Sequence, residues 1–150
     1  MSFQKPNVFI VYNNDDINDV LAGTFWLKGL EPFKFIDGNK CLKRFREMDG
    51  NVDVVLINQE IALDNDLMLI VNIKRINPNA KIFVIAEEES DKTKMVECGA
   101  DEVALMPLSP ADISDKLLLL ISKSKISERH NDLVWIFYYN CCFIIINYFL

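Results

Sequence analysis

The chain has 150 residues, enough to bury one good core and too few for two ordinary domains of about 100–150 residues each. Hydrophobic residues make up 51% and charged residues 25%, which excludes a disordered acidic segment. The net charge of −6, with no basic run, excludes a surface built to neutralise nucleic-acid phosphates and fits a basic protein partner better.

The predicted elements alternate between short β-rich runs and longer helical patterns. Asn7–Tyr12 is apolar and β-branched, as a buried strand is, and Asn13-Asn14-Asp15-Asp16 then supplies an N-cap and first-turn carboxylates for a helix to about Lys28. Gly29 stops that helix, and Pro32–Phe35 gives a second strand. Asn39–Met48 gives a second helix, ended by Asp49-Gly50. Val52–Asn58 is the clearest strand. The apolar spacing of Leu67, Ile70, Val71 and Ile73 predicts one helix over Leu63–Ile76, closed by Asn77-Pro78-Asn79. Lys81–Ala86 is a fourth strand, Asp91–Cys98 a helix ended by Gly99, and Val103–Met106 a fifth strand. Ser109-Pro110-Ala111-Asp112 reads as a cap, a first-position proline and an acidic residue three after the cap, opening a helix to about Lys123.

Five βα units with helices of this length must pair their strands in parallel through right-handed crossovers. The expected fold class is therefore α/β: a five-stranded, parallel, doubly wound sheet with an apolar C-terminal tail. The domain division is 1–125 for the folded domain and 126–150 for linker and tail. Sites in such sheets lie at the carboxyl ends of the strands, which directs attention to the loops after Tyr12, Asn58, Ala86 and Met106.

Asn77-Pro78-Asn79-Ala80 before strand four, Glu97-Cys98-Gly99-Ala100-Asp101-Glu102 before strand five, and Met106-Pro107-Leu108 after it stand in register with five strands. With these motifs the chain resembles the response-regulator receiver (CheY-like) family over roughly residues 5–125, which implies that the sheet is flavodoxin-like, of the receiver type. The resemblance implies a signalling domain of the two-component, phosphorelay type, not an enzyme and without a cofactor. Its partner would be a protein, either a histidine kinase or an output protein, with a homodimer as a further option.

Receivers use an aspartate at the end of strand three as phosphoryl acceptor, an acidic pair after strand one for Mg²⁺, a hydroxyl residue after strand four and a lysine before the proline. By resemblance these positions fall on Asn58, on Tyr12 and Asn13, on Ala86 and on Met106. An amide has no anionic oxygen to attack phosphorus, and Mg²⁺ without carboxylates loses most of its binding energy. Ala86 cannot donate a hydrogen bond to a phosphoryl oxygen, nor can Met106 supply a countercharge. Val103 occupies the place of the family's mobile aromatic. The expectation is thus a degenerate receiver with no catalytic or metal residues, acting as a phosphorylation-independent protein–protein interaction module.

Competing readings attach to particular residues. Asp15 and Asp16 could hold metal or carry phosphorelay chemistry only by a register slip that breaks the strand's apolar pattern, so complementing a helix N-terminus is favoured. Asp53 precedes Val54 and so lies at the wrong end of its strand. Glu87, Glu88 and Glu89 form either an acidic rim with Asp15 and Asp16 or, the favoured reading, a solvated loop. Met106 reads as gap-filling core more readily than as the lining of an apolar pocket. His130 has no nucleophile or carboxylate at motif spacing and reads as linker. Cys41, Cys98, Cys141 and Cys142 form no CxxC pair, so free thiols in a reducing cytosol are expected.

Met1–Pro6 lacks the features of a signal peptide, which points to the cytoplasm. Leu133–Leu150 carries no charge and reaches the lower edge of membrane-spanning length, roughly 18–20 residues. Three readings of it stay open: a membrane anchor flanked by Lys123, Lys125 and Arg129, which would make the chain a tethered signalling scaffold; a packing segment; and a non-native reading-frame extension.

Overall fold

The computed structural model describes residues 4–124. The chain divides into two compact units, Met1–Leu117 and Leu118–Leu150, and the sheet lies in the first. Its strands are β1 (Asn7–Val11), β2 (Glu31–Phe35), β3 (Val54–Asn58), β4 (Lys81–Ala86) and β5 (Glu102–Leu105). All four strand pairings are parallel, and the order across the sheet is β2-β1-β3-β4-β5. The expected α/β sheet is therefore the one observed.

Side-chain alternation along the central strands produces two buried faces, as a parallel sheet covered on both sides requires. One face carries Phe9, Val11, Val55, Ile57, Ile82, Val84 and Ala86, in a single core with Cys41, Phe45, Ile70, Ile73 and Met95. Those covering residues come from α2 (Gly38–Glu47), α4 (Met68–Ile76) and α5 (Lys92–Cys98). The Phe9 ring anchors this layer, with the Phe35 ring 4.8 Å away and the Phe45 ring edge-on at 6.2 Å. On the opposite face, Val8, Ile10, Val54, Leu56, Phe83 and Ile85 are buried, as are Leu21 and Phe25 of α1 (Asp15–Leu27) and Ile113 and Leu117 of α6 (110–124).

Burial pushes the Cys41 thiol up to about 12, with the Asp37 carboxylate adding to the effect, so this cysteine is an inert core residue. The caps are those the sequence suggests. Asn14 accepts from the Ile17 N–H at 3.1 Å, and Ser109 and Asp112 exchange reciprocal bonds of 3.1 and 3.2 Å at the start of α6.

One expected element differs. Leu63–Ile76 is not one helix: a short α3 (Gln59–Leu63) and a 3₁₀ turn (Asp64–Leu67) precede α4. Asn65, Asp66 and Leu67 have φ of 50°, 56° and 65°. Asn and Asp tolerate the left-handed region because their short side chains bond locally. Leu67 is buried where helical spacing would bury it, so apolar periodicity survives a backbone break that it cannot register.

Candidate functional site

In the order 2-1-3-4-5 the direction of winding reverses between β1 and β3, and the crevice beyond the carboxyl ends of those two strands is where a doubly wound sheet receives ligands. The loop leaving β1 is anchored first. The Asn18 amide, buried in α1, donates to the carbonyls of Tyr12 (2.8 Å) and Phe35 (3.2 Å), and the Tyr12 N–H donates to Phe35 at 3.1 Å. That holds Tyr12, Asn13 and Asn14 in place beside β3.

Asn58 ends β3 and caps α3 at once. Its Oδ1 accepts from the Ile61 N–H at 3.4 Å, and its Nδ2 donates to Oδ1 of Asn13 at 2.9 Å. The Nδ2 of Asn13 in turn donates to Oε2 of Glu60 at 2.6 Å, a short bond to a carboxylate. Asn58 is only 7% exposed, so both ends of its amide are satisfied inside the protein. Gln59 ties in the loop after β4: its Oε1 accepts from the N–H groups of Glu87 (2.6 Å) and Glu88 (3.1 Å), and its Nε2 donates to Asp91 at 3.4 Å.

Above this network lies a cavity of about 420 Å³, lined among others by Tyr12, Asn13, Asn58, Glu60 and Glu87. Burial raises the Tyr12 hydroxyl above its usual range, and the Glu87 carboxylate adds to that. A second, mainly apolar groove of about 290 Å³ adjoins it and shares Tyr12, Ile17 and Ile85. Asp16, Val20, Leu21, Met106, Leu108, Pro110 and Ile113 complete its walls.

Tyr12, Asn13 and Asn58, singled out from the sequence, thus meet around one cavity. Ala86 is fully buried at the end of β4, its carbonyl accepting from the Met106 N–H at 2.9 Å, and does not line that cavity. The core reading of Met106 is overturned. It is 40% exposed and walls the apolar groove, because β5 ends at Leu105 and the chain has left the sheet. Val103 is buried in the core. Asp15 and Asp16 occupy the first turn of α1, and the Asp53 carboxylate accepts from the Asn7 N–H at 2.8 Å at the far, amino edge of the sheet.

Gln59 and Glu60 were missed. Two polar residues directly after a fully apolar strand were the available signal, masked by the expectation that the next element began at Leu63. His130, Cys141, Cys142 and the tail Leu133–Leu150 lie outside the described residues. Among the described residues no helix is long and apolar enough to cross a membrane, and no three His, Cys, Asp or Glu side chains are grouped to hold a metal ion.

No known family model matches the chain. Over 122 residues it is 25% identical to the aerobic respiration control protein ArcA of Escherichia coli strain K12, an alignment covering 81% of this chain and 50% of that protein. The chain therefore spans about half the length of the curated relatives it matches. Among solved structures, the CheY-like response regulator receiver domain protein of Methanospirillum hungatei JF-1 superposes with a TM-score of 0.73 at 15% identity, covering 83% of this chain and 99% of that one. A response regulator receiver domain protein of Clostridium thermocellum gives 0.71 at 18% identity, covering 81% and 98%. The fold is that of a CheY-like receiver domain. In this receiver fold the amide network of Asn13, Asn58 and Glu60 sits at the switch point between β1 and β3, and the apolar groove lies beside it between α1 and the chain that follows β5.

Proposed function

We propose that the chain is a response-regulator receiver domain of two-component signalling that binds a protein partner without being phosphorylated. One observation carries this reading. The side chain that ends β3 at the switch point is the amide of Asn58, and both of its ends are already bonded within the protein, to Asn13 and to the Ile61 N–H. An amide oxygen is uncharged and a poor nucleophile, and an acyl phosphate forms from a carboxylate oxygen, which Asn58 does not have.

The neighbouring positions support the same conclusion. The donors beside Asn58 are an amide, Asn13, and a phenol, Tyr12, while the adjacent carboxylate, Glu60, is bonded to Asn13. A second carboxylate, Glu87, borders the cavity, but the positions at which receivers hold Mg²⁺, Tyr12 and Asn13, carry none, and among the described residues no three His, Cys, Asp or Glu side chains are grouped to hold a metal ion. Ala86 presents no hydroxyl, and Met106 presents a thioether to an apolar groove where a phosphoryl group would need a cation. Function then resides in the surface rather than in a covalent switch, and the partner is a protein such as a histidine kinase or an output protein.

The test is incubation of the full chain with a small phosphodonor and Mg²⁺, followed by intact-mass measurement, alongside Asn58→Asp. We expect no phosphoryl adduct on the natural chain, and little on the variant, since Tyr12, Asn13, Ala86 and Met106 are unchanged. A stable adduct on the natural chain would overturn the reading.

A further inference from the structure

Two cavities open side by side at the carboxyl edge of the sheet and share Tyr12, Ile17 and Ile85 as their common wall. They differ in chemistry. The larger is bordered by the carboxylates of Glu60 and Glu87 and by the amides of Asn13, Asn14, Asn58 and Gln59, whereas the smaller is walled mainly by aliphatic side chains and Met106, with Tyr12 and the Asp16 carboxylate as its polar members. Among the described residues no lysine or arginine lines either one.

Formal charge decides what the larger cavity can accept. The N-terminus of α1 is turned toward it, but that partial charge is answered by the Asn14 cap and by Asp15 and Asp16 in the first turn. Glu60 and Glu87 remain as formal negative charges with no lysine or arginine beside them on the cavity wall among the described residues, a field that attracts positive groups and repels phosphate. The Glu60 carboxylate uses one oxygen toward Asn13 and keeps accepting capacity on the other. In the smaller groove Val20 is 55% exposed and Met106 40%, apolar surface that gains by being covered, and methionine adapts to varied partners.

We infer that the two cavities form one bipartite groove for a basic protein segment: a cationic side chain enters beside Glu60 and Glu87, and a neighbouring apolar side chain packs on Val20 and Met106. This rests on the reading of the domain as an interaction module and names the chemistry of its partner. Complementarity of charge selects this occupant over an acidic or uncharged one.

The probe is an array of synthetic 12-residue peptides that each pair one Arg or Lys with one Leu or Phe. Matched peptides replace the basic residue by Gln or phosphoserine, or the apolar residue by Ser. Binding of the full chain is read by fluorescence anisotropy at two salt concentrations. Expected is at least tenfold tighter binding of the basic–apolar peptides than of either matched set, weakening with salt. That preference should fall about tenfold in the isosteric double variant Glu60→Gln/Glu87→Gln and, independently, in Val20→Asp, both at exposed positions and both checked for an unchanged melting curve.

Equal binding of Arg and Gln peptides, preference for phosphoserine, or an Arg preference that survives the double variant would each overturn the proposal. The interaction-module reading is tested apart from it, by the phosphodonor experiment. A chain that takes up no phosphoryl group yet shows no basic preference retains the module and loses the groove.

Discussion

The two edges of the sheet use polar residues in opposite ways. At the amino edge polar side chains hold the chain together. The Lys74 ammonium donates to Asp101 and to the Ala80 carbonyl, both at 2.8 Å, Asp101 also accepts from the Ile82 N–H at 2.8 Å, and Asn77 donates to the Gly50 carbonyl at 2.8 Å. At the carboxyl edge amides and carboxylates link three loops and still leave two cavities open, with carboxylates at the rim and, among the described residues, no lysine or arginine on the walls. One edge is a clasp and the other is a surface. The difference teaches that in this domain charge at the amino edge has structural partners inside the molecule, while charge at the carboxyl edge is available to something outside it.

The contrast can be broken from the clasp side. Asp101→Ala strips partners from a Lys74 side chain that is 20% exposed and from the Ile82 N–H, and should lower the unfolding free energy by about 2–3 kcal/mol, read from urea denaturation. A loss below about 0.5 kcal/mol, the range of surface substitutions, would mean that the clasp is no tighter than the surface. Gly50→Ala attacks the same edge through the backbone. Gly50 has φ +72°, and an added Cβ would meet Cβ of Asn77 at 2.9 Å, so a loss of about 1–2 kcal/mol is expected in the same assay.

From the other edge, Asn58→Ala removes a helix cap and the link to Asn13, and should cost about 1 kcal/mol, clearly less than Asp101→Ala. An equal or larger loss would make the carboxyl edge a clasp as well. The smallest effect belongs to Asp112. Hydrogen bonds from the Ser109 hydroxyl and backbone hold its carboxyl below the usual carboxylate range. A carboxyl lowered on folding contributes stability that is present above its unfolded value and lost as pH falls through its folded value. Asp112→Asn should therefore lower stability slightly at neutral pH and flatten the acid side of the profile, so that urea midpoints of the two proteins differ near about pH 7 and converge towards about pH 2.

Much of the site could be read from residue order alone, because three of its members are defined by where a strand ends. Asn58 follows four apolar residues of β3, and Tyr12 and Asn13 follow the apolar run of β1, so each necessarily emerges at the carboxyl edge. Gln59 and Glu60 could have been found the same way but for the helix assigned over Leu63–Ile76, which left them in an undefined connection. The link from Asn13 to Asn58 spans 45 residues and the one from Gln59 to Glu87 spans 28, and no local pattern records such pairs.

By itself the sequence determined the five strands, the parallel sheet, the caps at Asn14 and Ser109, and the absence of a carboxylate at the end of β3. These depend on periodicity, on local hydrogen-bonding chemistry and on residue identity, all short-range properties. Only the tertiary structure decided that Met106 stands at a groove rather than in the core, that three successive left-handed residues interrupt the helix before α4, and that the carboxylates of Glu60 and Glu87 border one cavity. Those outcomes depend on which loops the strand order brings together, and strand order is set by packing between segments far apart in the chain.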